Sequence, residues 1–226
     1  MISRTKLADR SLPDYTKCEE LINMITHTVG AALSVAALVL CVIFSVKVHN
    51  PYLVVASSIY GASLVLLYTM SSVYHGLRPN MGKKVMQVLD HCTIYFLIGG
   101  TYTPIVLGPI LKNSPRAAWT MFGIVWFFCI LGTVFTAIDL KKYRIFSMIC
   151  YIGIGWIIML FIKITVRAIT MKGLLYLLLG GILYTIGAVL YVLGKNHRYM
   201  HSIFHVFVLA GSILHFFCIM FYCITR

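Results

Sequence analysis

The sequence predicts an all-α polytopic membrane protein, a seven-transmembrane-helix bundle with its N-terminus cytoplasmic and its C-terminus external. Three observations predict it. Of the 226 residues, 60% are apolar and only 11% are charged, where a soluble domain carries about a quarter charged residues. Runs of roughly 20 apolar residues recur from end to end, each long enough to cross a hydrocarbon core of about 30 Å. The lysines and arginines sit singly or in pairs between those runs, and more of them fall on one side than on the other.

The elements follow in order. Residues 1–26 are polar and mixed in charge and form a cytoplasmic N-terminal segment; residues 27–226 form the transmembrane domain. The small residues of "VGAALSVAA" open the next apolar run rather than close it, the reverse of a signal-peptide cleavage site, so this segment is expected to stay on the chain. Seven spans are expected, at 27–48, 52–75, 87–108, 117–138, 145–162, 174–194 and 201–223. Lipid offers a backbone no water to bond with, so each should be an α-helix. The runs do not alternate as the strands of a β-barrel would. Pro104, in "GGTYTP", should kink the third span. Gly180, Gly187 and Gly194 recur every seventh residue of the sixth, a spacing that lets a neighbouring helix come close.

Orientation follows from the basic residues. With seven crossings, 12 of the 19 lysines and arginines share the N-terminal side and seven lie on the other. The excess marks the cytoplasm. The same scatter argues against nucleic acid as the partner of a chain with net charge +13, because no basic stripe forms. Membrane lipids are the expected partners, and the cell membrane the location. Seven cysteines are dispersed, mostly within apolar runs and with no CxxC pair, and read as small packing residues.

Ionisable residues at membrane depth are costly and are functional candidates by default. Here Glu20, Asn23 and His27 precede or open the first span, Ser71 and His75 close the second, Asp90 and His91 open the third, and His201 and His205 open the seventh. Alternating crossings put all of them toward the cytoplasm. Ser71 and His75 are four apart, as are His201 and His205, so each pair shares a helical face. Three imidazoles from two helices can make a zinc site, and a catalytic zinc keeps three protein ligands and one water. Asp90 could then bond that water or a ligand histidine, with Ser71 in support. An HxxxH pair by itself is also what helix-end caps and headgroup contacts look like. His27 and His91 read as structural hydrogen-bonding residues, His49 and His197 as solvent-facing, and His215 as a helix contact. For Glu20 and Asn23 the reading is capping and helix packing.

In order, "EELINMITH", "SSVYH", "DHCTIYFLIGGTYTP" and "HSIFH" resemble the hemolysin III family, the bacterial branch of the progestin and adipoQ receptor proteins. The resemblance covers all but the first 15 or so residues. It implies seven helices with a cytoplasmic N-terminus and a zinc ion near that side. Matched motif to motif, the ligands would be His75, His201 and His205, the aspartate near the zinc-bound water Asp90, and the serine Ser71. The long N-terminal region of the eukaryotic receptors is absent, so receptor signalling is not carried over.

Three functions follow. The first is a zinc-dependent hydrolase of a lipid amide or ester in membrane-lipid homeostasis, as the distantly related adiponectin receptors and alkaline ceramidases imply. The second is the pore-forming cytolysis of the family name, which fits poorly with seven overt spans. The third is a zinc-stabilised regulator without turnover. Neither a particular lipid nor an oligomeric state is written in the sequence.

Overall fold

A computed structural model describes residues 5–194 and 197–225. Among the described residues the regular structure is entirely helical. Six segments are long and apolar enough to cross a membrane: Lys17–Lys47, Pro51–Gly76, Met81–Asn113, Pro115–Ile138, Arg144–Leu193 and Met200–Ile224.

The first helix, α1 (Lys17–Lys47), begins ten residues before the expected span. A capping box starts it: the Thr16 hydroxyl accepts from the Glu19 N–H, and the Glu19 carboxylate accepts from the Thr16 N–H. This satisfies two of the donors a helix start leaves open. Its buried face is Glu19, Asn23, His27, Gly30, Ser34, Ala37, Cys41 and Ser45, a stripe of small and polar residues at steps of three or four. Leu21, Ile25, Val29 and Leu33 point outward. The polarity is the inverse of a soluble helix, as expected where the solvent is lipid and helices meet through small residues.

Asn50 caps α2 (Pro51–Gly76), whose first residue is a proline that needs no N–H partner. Asn80 caps α3 (Met81–Ile105) in the same way. Past Pro104, α3 passes into a π-helical turn, Val106–Ile110, containing a second proline, Pro109. Next to the kink expected at Pro104, the chain widens into this π-helical turn. The next helices are α4 (Pro115–Ile138), α5 (Arg144–Gly155), α6 (Ile162–Leu193) and α7 (Met200–Cys218), with a 3₁₀ stretch, Ile157–Phe161, joining α5 to α6.

The 50-residue segment Arg144–Leu193 would be about 75 Å long as one straight helix, far more than a bilayer core. It is not straight. Thr170 has φ 65° and ψ 168°, outside the helical region. The Trp156 indole N–H donates to the Thr185 hydroxyl at 3.0 Å. These two residues are nearly equidistant from Thr170, so the chain folds back there and its two halves lie side by side. The expected break between residues 162 and 174 contains this reversal.

In the bundle α1 lies against α2 and α7, α2 against α3, α3 against α4, and α6 against α7. The three regularly spaced glycines do face α7. A Cβ on Gly180 would meet His215, one on Gly187 would meet Phe207, and one on Gly194 would meet Met200. The buried interior is rich in tyrosine, with Tyr60, Tyr68, Tyr74 and Tyr95 almost fully enclosed.

Candidate metal centre

Three helices deliver the site. His75 stands in the last turn of α2 and is 2% exposed, while His201 and His205 occupy the first two turns of α7. The start of α7 is set by α1: the Tyr199 N–H donates to Glu19 Oε1 at 2.6 Å, and the Ser202 hydroxyl donates to Asn23 Oδ1 at 2.6 Å. The residue that caps α1 therefore also fixes the turn carrying His201.

The three Nε2 atoms converge. His201 Nε2 is 3.2 Å from His75 Nε2 and 3.0 Å from His205 Nε2, and one ligand atom from each residue lies within 4.8 Å of the others. A single ring nitrogen cannot donate to one neighbour and accept from the other, since it holds either a proton or a lone pair. Two such contacts on one nitrogen are the geometry that a shared cation would satisfy. Tetrahedral bonds of about 2.0–2.1 Å give nitrogen separations of about 3.3 Å, close to what is found. The trio can hold a metal ion.

Around it lie aromatic rings. Tyr15, in the segment before α1, stacks on His201 with centroids 5.0 Å apart and 17° between planes, and its centroid is 5.9 Å from that of His75. Tyr74 flanks His75, and Tyr191 flanks His201. Burial, the Tyr191 hydroxyl and the charges of Glu20 and Asp90 push the Tyr15 phenol well above its ordinary value. The segment carrying Tyr15 is tied down at the same end of the bundle. Thr5 N–H donates to Asp139 Oδ2 at 2.9 Å, Arg10 Nη2 donates to the Ile138 carbonyl at 2.9 Å, and the Lys84 ammonium bonds the Ala8 carbonyl.

The remaining expected site residues fall less tightly. Ser71 is buried one turn before His75, and no hydrogen bond of its hydroxyl is found among the described residues. Asp90 is half-buried on α3 with Oδ2 3.7 Å from His91 Nδ1. It is outside the convergent trio, but its charge bears on Tyr15, Tyr74 and Tyr191, the rings bordering the trio.

Two readings change. Glu20 does not cap α1, a role Glu19 takes. Its Oε2 lies 2.6 Å from His75 Nδ1 and its Oε1 accepts from Lys83 Nζ at 2.6 Å. Asn23 does serve helix packing, through Ser202. His27 does not read as a hydrogen-bonding residue: among the described residues neither ring nitrogen has a hydrogen-bond partner, and the ring stacks on His205 at 3.6 Å. His91 does bond, to the Gln87 carbonyl at 2.8 Å, and His215 donates to the Leu177 carbonyl at 3.0 Å. Lys83 and Tyr15 had no signal in the sequence. One reads as a loop charge and the other as an unremarkable residue of the leading segment.

The family model described as "Haemolysin-III related" matches residues 15–216. The chain belongs to the hemolysin III family. It is 40% identical over 204 residues to "Hemolysin-3" of Bacillus cereus, covering 90% of this chain and 91% of that protein. It is 38% identical over 210 residues to "Hemolysin-3 homolog" of Bacillus subtilis (strain 168), covering 93% and 97%. A weaker similarity, 26% identity over 172 residues, links it to the human "Monocyte to macrophage differentiation factor", with 71% and 67% covered. This hemolysin III family member is a multi-pass membrane protein.

Proposed function

We propose that the chain is a membrane-embedded, zinc-dependent hydrolase of a lipid amide or ester. The single observation that carries this is the convergence of three Nε2 atoms on one point, with His201 Nε2 shared at 3.2 and 3.0 Å. Three nitrogen ligands with a fourth position open is a catalytic rather than a structural zinc pattern. When bound, zinc supplies a Lewis acid and a water acidic enough to act as hydroxide near neutrality.

The chain's own residues supply the rest. His75, His201 and His205 would hold the metal. The Asp90 carboxylate, with its charge directed at this end of the bundle, would take up a proton from the attacking water. The Ser71 hydroxyl, one turn from His75, would donate to the oxygen of the scissile carbonyl. Tyr15 covers the trio on the side of the N-terminal segment, which favours substrate arriving sideways from the lipid. We take the bundle to make seven crossings, since the reversal at Thr170 divides 50 residues into two bilayer-length pieces, and the charge bias to place the N-terminus in the cytoplasm. Impermeant labelling of single cysteines near 167–172, but not near 141–142, is the result this topology requires.

The deciding experiment is metal analysis of detergent-purified protein beside a His201→Ala/His205→Ala variant, followed by a screen for fatty acid released from lipid amides and esters. About one zinc per chain, lost in a variant that stays folded, together with metal-dependent release, is expected. No zinc in either protein after zinc is supplied would sink the reading. Zinc without turnover would favour a regulator stabilised by metal. The relatives' name hemolysin-3 supports a cytolytic reading, and release of haemoglobin from erythrocytes by the purified protein is what would bring it forward.

A further inference from the structure

The three histidines are not equivalent. Among the described residues, His201 Nδ1 and His205 Nδ1 are buried without a hydrogen-bond partner, whereas His75 Nδ1 sits 2.6 Å from Glu20 Oε2. The other oxygen of Glu20 accepts from Lys83 Nζ at 2.6 Å. Lys83 is only 2% exposed; its ammonium also donates to the Leu77 carbonyl at 2.9 Å and lies 5.2 Å from the centre of the Tyr74 ring. Three elements thus meet behind one imidazole: α1 through Glu20, the end of α2 through His75 and Leu77, and the first turn of α3 through Lys83.

A lysine so enclosed needs its charge matched and its protons accepted. Glu20 does both, and Lys83 in return holds the carboxylate in one orientation. The consequence falls on His75. A carboxylate facing Nδ1 requires the proton there, which leaves the Nε2 lone pair free and aimed at His201 and His205. A carboxylate behind a histidine fixes the tautomer and ring angle of a metal ligand and raises its basicity. Among the described residues, no carboxylate stands behind His201 or His205.

We propose that Glu20, anchored by Lys83, is the positioning residue for His75, and that this pair sets how tightly the histidine trio takes a divalent metal. The inference rests on the metal reading of the trio but not on turnover. It accounts for a buried cation on α3, which the hydrolase reading leaves without a purpose.

The test uses full-length protein in detergent, with Co²⁺ alone as the probe. Affinity is measured by competition with a chromophoric chelator, and ligand geometry by the visible d–d spectrum. Glu20→Gln keeps the volume and is expected to weaken Co²⁺ binding about 10–100-fold and to alter the spectrum, in a protein that still folds but with a lowered metal-free unfolding midpoint, because Lys83 loses its matched charge. Lys83→Met is expected to weaken binding less. The two losses should be non-additive in the double variant, as for residues acting through one contact. Glu20→Asp should recover part of the affinity. Equal Co²⁺ affinity and spectra in wild type and Glu20→Gln would overturn the positioning role while leaving the metal site standing. Absence of Co²⁺ binding in the wild type would instead overturn the metal reading itself. If Glu20→Gln fails to fold, Lys83→Met against Lys83→Arg carries the same comparison, and indistinguishable affinities there count against the proposal.

Discussion

Gly180→Ala adds one methyl group at the tightest approach of α6 to α7. The new Cβ would lie 2.3 Å from His215 Cδ2, 2.5 Å from its Nε2 and 3.1 Å from the Gly211 carbonyl oxygen. His215 has little room to yield. It is 7% exposed, its Nε2–H donates to the Leu177 carbonyl at 3.0 Å, and its ring stands edge-on to Tyr184 at 5.2 Å. Restoring a normal contact requires a shift of about 1 Å, enough to break that hydrogen bond. Overpacking costs about 1–3 kcal/mol and a lost hydrogen bond about 1 kcal/mol. Alanine returns up to about 1 kcal/mol in helix propensity, so a net loss of about 1–3 kcal/mol is expected. Gly123→Ala is the control, because nothing lies within 4 Å of its added Cβ; it should be neutral or gain up to about 1 kcal/mol. Reversible unfolding in mixed micelles, followed by tryptophan fluorescence, measures both. A Gly180→Ala protein as stable as Gly123→Ala would refute the close-packed α6–α7 contact and the register derived from it.

Three other outcomes are expected. Tyr15→Ala removes the ring stacked 5.0 Å from His201, so a metal preloaded in the trio should be lost to a soluble chelator several-fold faster than from the wild type; unchanged release rates would mean that Tyr15 does not cover the site. Thr170→Gly should stabilise, because φ 65° with ψ 168° is a region nearly reserved for glycine and costs other residues about 1–3 kcal/mol; a lowered unfolding midpoint would contradict the turn described there. Asp139 is pushed up by burial but more strongly held down by the N–H groups of Lys142 and Thr5 and by the charge of Arg10, so its carboxyl lies below the usual aspartate range. A depressed carboxyl stabilises above its unfolded value and loses that contribution as pH falls through the folded one. Hydrogen exchange of residues 5–16, corrected for intrinsic rate, should therefore hold steady from neutral pH until the carboxylate range and then rise, while Asp139→Asn should raise it at neutral pH already.

What the sequence disclosed and what it withheld divide along physical lines. The histidine trio was legible because i, i+4 spacing is a one-dimensional rule that His201 and His205 obey, and because His75 closes one apolar run where they open another. That the chain is built of helices long and apolar enough to cross a membrane was legible because apolar length is. The early start of α1 was not, since residues 17–26 carry Lys17, Glu19, Glu20, Asn23 and Thr26 among their apolar residues, and the capping box of Thr16 and Glu19 sets the helix start ahead of the apolar run. Thr170 gave no turn signal because a β-branched residue is disfavoured where φ is positive; the lysines and arginines around it were the only hint. Glu20 lay on the correct face, three residues before Asn23 and seven before His27, yet its partners His75 and Lys83 are 55 and 63 residues distant. Contacts of that separation are set by helix docking, and no local spacing encodes them.

His75 and His201 are 126 residues apart. During synthesis, the first of the three nitrogens is therefore laid down when about a third of the polypeptide exists, and the other two only as the final helix emerges. No shorter nascent chain possesses the trio. Glu20 and Lys83 are already present by then, so an oriented His75 can wait for its partners while α4, α5 and α6 are inserted. Acquisition of a metal by all three ligands would then be the last act of maturation, and an ion seated there would certify that the last helix had docked beside the first.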